Sequence, residues 1–272
     1  MLRLLTSIIV ALATPLLAET QEPREVDVEL YLAVDVSRSM APAELEIQRR
    51  GYAAAMRSEE VVAAIARGLI GEVAITYVEW SGDYAQRVVI PWTAVKTRGD
   101  AEAFAARVEL NDRPAMWRTS ISGALRNALT SLSTNEFHGL RRVIDISGDG
   151  PNNQGGSVTR ARDTVLAAGI TINGLPLMTR DGIGSNWHLE DLDAYYRYCV
   201  IGGPGAFAIP VHDWSQFAAA VKRKLVLEIA GLTVPSHAQL LPAQYYGMSE
   251  DGYDCQIGER IWRENRGRFT LP

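Results

Sequence analysis

Val28-Glu29-Leu30-Tyr31-Leu32-Ala33-Val34-Asp35-Val36-Ser37-Arg38-Ser39 decides the reading of this chain: a strand-like apolar run that stops on an acid and two spaced serines. From Pro42 to Arg67 the pattern turns helical, with Leu45, Tyr52, Met56 and Ile65 among its apolar positions and Gly68 as a stop. Val73 to Trp80 and Arg87 to Trp92 are β-rich, and Ser81-Gly82-Asp83-Tyr84 between them has the composition of a hairpin turn. Helical segments near Asp100 to Val108 and Ser120 to Leu132 lead to a strand at Arg142 to Ile146. A helix near Ser157 to Ala168, a strand at Ile170 to Leu175, a short strand near Phe207 to Pro210 and a helix from about Trp214 to Ile229 complete the regular pattern.

Strands that alternate with helices of this length need crossover connections. The expected fold is therefore α/β: a doubly wound, mostly parallel sheet with helices on both faces and one antiparallel edge hairpin. Ligands of such sheets sit outside the carboxyl ends of the strands, so the loops that follow strands are the place to look for chemistry. The domain spans 26–230. Beyond Gly231, Pro235, Pro242, three tyrosines and late glycines read as an irregular tail over 231–272.

Met1 to Ala18 has the order of a secretory signal: Arg3, a mostly apolar run to Leu17, and a small residue before Glu19. The run is shorter than the ~20 apolar residues of a spanning helix. The expected location is periplasmic or secreted, with no membrane span in the mature chain, and no cysteine follows the cut to carry a lipid. The formal charge of −5 becomes −6 without Arg3, and no block of Lys or Arg offers a nucleic-acid footprint. Two cysteines, Cys199 and Cys255, form either one disulfide or two separate thiols.

Three strand-following loops carry hard oxygen donors: Asp35, Ser37 and Ser39 after the first strand, Thr119 at the start of a helix, and Asp149 after the strand at Arg142 to Ile146. Mg²⁺ (or Mn²⁺) takes about six oxygens and keeps several waters, which suits hydroxyls backed by two carboxylates. With neutral hydroxyls bound directly, the cation stays electrophilic and open to an acidic group from outside. D-x-S-x-S is short enough to arise by chance; its placement is what gives it weight.

In that placement the chain resembles the von Willebrand factor A family, whose metal-ion-dependent adhesion site combines a D-x-S-x-S after the first strand, a Thr before a helix and an Asp after a later strand. The resemblance covers roughly 28–229 and implies the Rossmann-like fold, the five metal positions and a binding function. It departs from the pattern at Gly148, where the family more usually has a Thr or Ser. Tyr31 to Ser37, Asp145 to Asn153 and Cys199 to Gly205 are similar to a bacterial exported subfamily described only as a domain of unknown function, which implies a fold and a site but no substrate.

Around such a metal, Trp117, Arg118, Asn152, Asn153, Arg180 and Trp187 are candidate partner contacts. Asp145, inside an apolar strand, must be paired or exposed to remain charged. His138, His188, His212 and His237 follow no ligand spacing, and Gly202-Gly203-Pro204-Gly205 lacks a P-loop lysine. The leading expectation is a non-enzymatic module that docks a carboxylate of a protein or peptide partner on bound metal. The alternatives are a metal-dependent hydrolase such as a phosphoesterase, or a structural domain with a stabilising metal.

Overall fold

The computed structural model describes residues 22–111, 114–179, 189–231, 241–242 and 252–269; the signal segment 1–18, Arg180 and Trp187 lie outside them. Seven strands are hydrogen-bonded in one sheet: β1 (Arg24–Asp35), β2 (Val73–Trp80), β3 (Gln86–Val95), β4 (Phe137–Gly148), β5 (Thr171–Pro176), β6 (Phe207–Ala208) and β7 (Leu241–Pro242). Their spatial order is β3-β2-β1-β4-β5-β6-β7. Every pair is parallel except β2 with β3 and β6 with β7. The expected edge hairpin is present. One antiparallel edge was expected and there are two, because two residues of the 231–272 stretch pair with β6.

The strands are long and buried enough to need cover on both faces, and β1 shows how the sequence divides them. Val28, Leu30, Leu32 and Val34 belong to one core together with α1 (Pro42–Arg57), α2 (Glu59–Ala66), α3 (Arg98–Glu109) and α7 (Phe217–Ala230). Tyr31 and Ala33 belong to the other, under α4 (Ile121–Thr134), α5 (Val158–Ala167), the short α6 (Leu192–Tyr195) and the π-helical turn Tyr196–Val200. This is the period-two division of a strand between two layers. The helix expected from Pro42 to Arg67 is broken at Ser58, whose backbone is extended and whose hydroxyl caps α2 by accepting from the Val61 N–H.

Asp145 faces a buried charged group. Its Oδ1 lies 2.7 Å from Lys224 Nζ on α7, and Lys224 also pairs with Glu228 one turn on. Asn173 of β5 donates to Glu228 Oε1 at 2.9 Å, so the three charges share one enclosed polar island.

Beyond 231 the chain is not irregular throughout. Helix α8 (Ile257–Phe269) follows Cys255, which is bonded to Cys199 of the π-helical turn. Among the described residues no helix is long and apolar enough to cross a membrane.

The chain order gives the sheet its functional geometry. From β1 the chain moves outward to β2 and β3, then crosses back to add β4 on β1's other side. The carboxyl ends of β1 and β4 therefore flank the point where winding reverses, which is where doubly wound sheets open a crevice.

Candidate metal centre

Asp35 ends β1 at that crevice, and the turn after it folds back on its carboxylate. Asp35 Oδ1 accepts the Ser37 N–H at 2.6 Å, Ser37 Oγ and Ser39 Oγ lie 3.0 Å apart, and Ser39 Oγ donates to Asp149 Oδ1 at 2.8 Å. Four of the five expected ligands thus stand in one hydrogen-bonded chain between two strand ends. Gln48 of α1 holds the strand terminus by donating to the Asp35 carbonyl at 2.9 Å.

Thr119 reaches the same loops by its backbone. The Met116 N–H donates to the Val36 carbonyl at 2.8 Å, laying residues 116–119 alongside the Asp35–Ser39 turn. Thr119 and Asn153 then clasp each other: Asn153 Oδ1 accepts the Thr119 N–H at 3.1 Å, and the Asn153 N–H donates to the Thr119 carbonyl at 2.9 Å. Ser120, directly after it, caps α4 by accepting the Gly123 N–H at 3.1 Å. Among the described residues the Thr119 hydroxyl makes no hydrogen bond to the Asp35–Asp149 chain.

The electrostatics of the crevice are those of buried acids. Enclosure, and next the nearby Asp149, pushes the Asp35 carboxyl well above the usual carboxylate range. Asp149 is pushed up to about 6, chiefly by burial, with Glu44 of α1 as a further repelling charge. Asp35 Oδ2 is buried and has no hydrogen-bond partner among the described residues. Two buried carboxylates, a free carboxylate oxygen and a cluster of hydroxyls fit a hard divalent cation, which would offset the charge that burial penalises. No group of three His, Cys, Asp or Glu that could hold a metal ion converges among the described residues.

The expected rim residues that are described occupy different surroundings. Trp117 is 70% exposed, with the Arg38 guanidinium 3.8 Å above its ring. Arg118 adopts φ +75° and lays its guanidinium 3.3 Å over Trp262 of α8. Asn152 is 0% exposed and cannot meet a partner. Its Oδ1 accepts the Ser122 N–H at 2.9 Å and its Nδ2 donates to Glu259 Oε1 at 2.7 Å, so it ties α4 to α8. Asn153 serves Thr119, as above. Arg38 and Trp262 were not anticipated: Arg38 is one of the unspecified positions of D-x-S-x-S, and Trp262 lies in the stretch read as irregular.

His138 and His212 are exposed, and His188 and His237 lie outside the described residues. The Gly202–Gly205 segment turns through φ +97° at Gly203 and +71° at Gly205 into β6, not into a helix, which removes the geometry of a phosphate-binding loop.

Among solved structures, the chain is similar to proximal thread matrix protein 1 from the mussel byssus with a zinc-occupied MIDAS motif, at TM-score 0.52 and 16% identity over 77% of this chain and 49% of that one. It is similar to the pilus adhesin SpaC from Lactobacillus rhamnosus GG, at TM-score 0.54 and 10% identity over 75% of this chain and 30% of that one. It also resembles a von Willebrand factor type A protein from Catenulispora acidiphila, at TM-score 0.51 and 13% identity over 75% and 43% of the two chains. The chain spans less than half the length of each of these proteins, and at such identities the likeness is one of fold. No curated protein sequence matches it. The family model described as "Protein of unknown function (DUF1194)" matches residues 25–233, and with the sheet order and crevice above this chain belongs to the DUF1194 family, with the fold of a von Willebrand factor A domain.

Proposed function

We propose that this protein is an exported binding module that docks an acidic group of a protein or peptide partner on a Mg²⁺ (or Mn²⁺) held by Asp35, Ser37, Ser39, Thr119 and Asp149. The observation that carries the reading is the single hydrogen-bonded chain from Asp35 through Ser37 and Ser39 to Asp149, with a buried carboxylate oxygen left unsatisfied. A bound cation would supply Lewis acidity and an exchangeable coordination position for a carboxylate. The side chains set the terms: the serines present neutral oxygens, the two acids balance the charge from behind, and the Thr119–Asn153 clasp holds the third loop. Arg38 on Trp117, beside the crevice, adds a positive and aromatic rim suited to an acidic partner. One structural relative is a pilus adhesin and another has a zinc-occupied MIDAS motif, both in keeping with this reading.

Export is part of the proposal, since the Cys199–Cys255 disulfide suits an oxidising compartment. So is the absence of catalysis by the protein alone. Calorimetric titration with Mg²⁺ of wild type and Asp35→Ala tests the metal assignment, with equal affinity in both refuting it. Capture of partners from envelope extract, with metal and with chelator, tests the function. Thr119→Ala should weaken capture without loss of fold, as it removes a small polar group at a loop end. Asp149-dependent phosphoesterase activity in purified protein would favour the hydrolase instead.

A further inference from the structure

Gly148 ends β4 immediately before Asp149 and stands where the resembled family more usually carries a hydroxyl side chain. The space beside it is already taken. A Cβ at Gly148 would lie 2.9 Å from Asp35 Oδ2, 2.9 Å from the Tyr196 hydroxyl oxygen and 3.3 Å from Trp80 Cζ2. Asp35, Tyr196 and Trp80 are each 0% exposed. Asp35 Oδ2, the Tyr196 hydroxyl and Trp80 Nε1 all lack a hydrogen-bond partner among the described residues. One is a carboxylate acceptor and the other two bring donors, so the three deficits are complementary.

Tyr196 is placed there by a built slot. It opens the π-helical turn Tyr196–Val200, a geometry that inserts an extra residue and re-aims side chains. Its ring crosses β5 at Gly174, where a Cβ would come within 2.6 Å of Tyr196 Cδ1. Gly174 stands opposite Ile146, two residues before Gly148 on the neighbouring strand. Two glycines on adjacent parallel strands therefore clear the path of one tyrosine, the first for its ring and the second for its hydroxyl. The turn is anchored in its own right by Cys199 through the disulfide to Cys255.

We infer that the Tyr196 hydroxyl is the positioning donor for Asp35 Oδ2 through one shared water, the two atoms flanking the same space at Gly148 without a direct hydrogen bond. Leaving a buried carboxylate oxygen and a buried phenol both unmet is costly, and a hydrogen bond to a charged group is among the stronger ones. Tyr196 thereby holds the Asp35 carboxylate in one orientation, with Oδ1 toward the Ser37 N–H. The consequence for metal affinity rests on the function proposed above; the Tyr196–Asp35 contact does not.

A double-mutant cycle in chelator tests the contact without metal: urea unfolding of wild type, Tyr196→Phe, Asp35→Asn and the double variant. The expected coupling is about ten-fold in the unfolding equilibrium constant, and additive effects overturn the inference. Calorimetry with Mn²⁺ then tests the role. Tyr196→Phe should bind the ion about ten-fold more weakly. Unchanged Mn²⁺ affinity in Tyr196→Phe overturns the positioning role even if the cycle shows coupling. If wild type itself takes up no Mn²⁺, the proposed function fails, and the cycle in chelator alone decides the Tyr196 contact.

Discussion

Asp145, Lys224 and Glu228 enclose two carboxylates around one ammonium, and that imbalance should give the fold a pH dependence that a single substitution reduces. Burial first, and then repulsion from Asp145, raises Glu228 from 4.5 to about 8, against the opposing pull of Lys224 and Asn173. Between those two values the folded chain keeps a proton that the unfolded chain has released. Stability contributed by this group is therefore highest below 4.5, falls as pH rises, and levels off above about 8. At about 1.4 kcal/mol per pH unit the whole window amounts to about 5 kcal/mol. Asp145→Asn removes the repelling charge and leaves Lys224 with Glu228 as a balanced pair, so the decline in stability across that window should be smaller than in wild type, with the part due to burial remaining. Urea unfolding of both proteins in chelator at pH 5, 6, 7 and 8 measures this directly, and contributions from the crevice acids are common to both. Parallel curves of stability against pH for wild type and Asp145→Asn would refute the assignment of the proton to this cluster.

Lys224→Met, which leaves the two carboxylates without a counter-charge, should cost about 3–5 kcal/mol at pH 7 and less at pH 5, read from the same unfolding curves. Cys255→Ser should lower stability by about 4 kcal/mol, the chain-entropy value for a loop closed over a separation of 56 residues, and reducing agent should shift the denaturation midpoint of wild type but not of the variant. Gly51→Ala should cost about 1–3 kcal/mol, because its Cβ would come within 2.4 Å of Phe217 Cδ1 where α1 packs on α7; an unmoved thermal midpoint would show that the contact relaxes freely.

What the sequence made legible follows burial. β1 and β2 are enclosed on both sides and read as continuous apolar runs, and the Asp35–Ser39 turn follows directly on one of them. β4 is longer than its apolar half. His138, Gly139 and Arg141, ahead of the expected strand, form strand because they pair with β1, a tertiary cause that local composition does not carry. The Asp145 pairing was foreseeable as a requirement, but its partner lies 79 positions away on α7. Helix α8 was hidden by glycine read as a breaker. Gly258 is there because the Asn152 carbonyl oxygen lies 2.1 Å from where its Cβ would be, so the residue permits close packing on a loop and does not end a helix. Nothing near Tyr196 in the sequence marks it, since its slot is made by glycines on two other segments.

That docking of α8 bears on where the molecule can be divided. The family match ends at residue 233, before Cys255, Glu259 and Trp262, yet these three hold the π-helical turn, Asn152 and Arg118 in turn. A protein shortened to the matched span keeps every long strand of the sheet. It loses the ring that steadies Arg118 in a left-handed backbone conformation, which for a non-glycine residue is unfavourable by about 1–2 kcal/mol, and it loses the bond that anchors the turn carrying Tyr196. Where such a truncated chain folds, it would have two loosened walls at its crevice, so keeping the sheet and keeping the crevice ordered call for different lengths of chain.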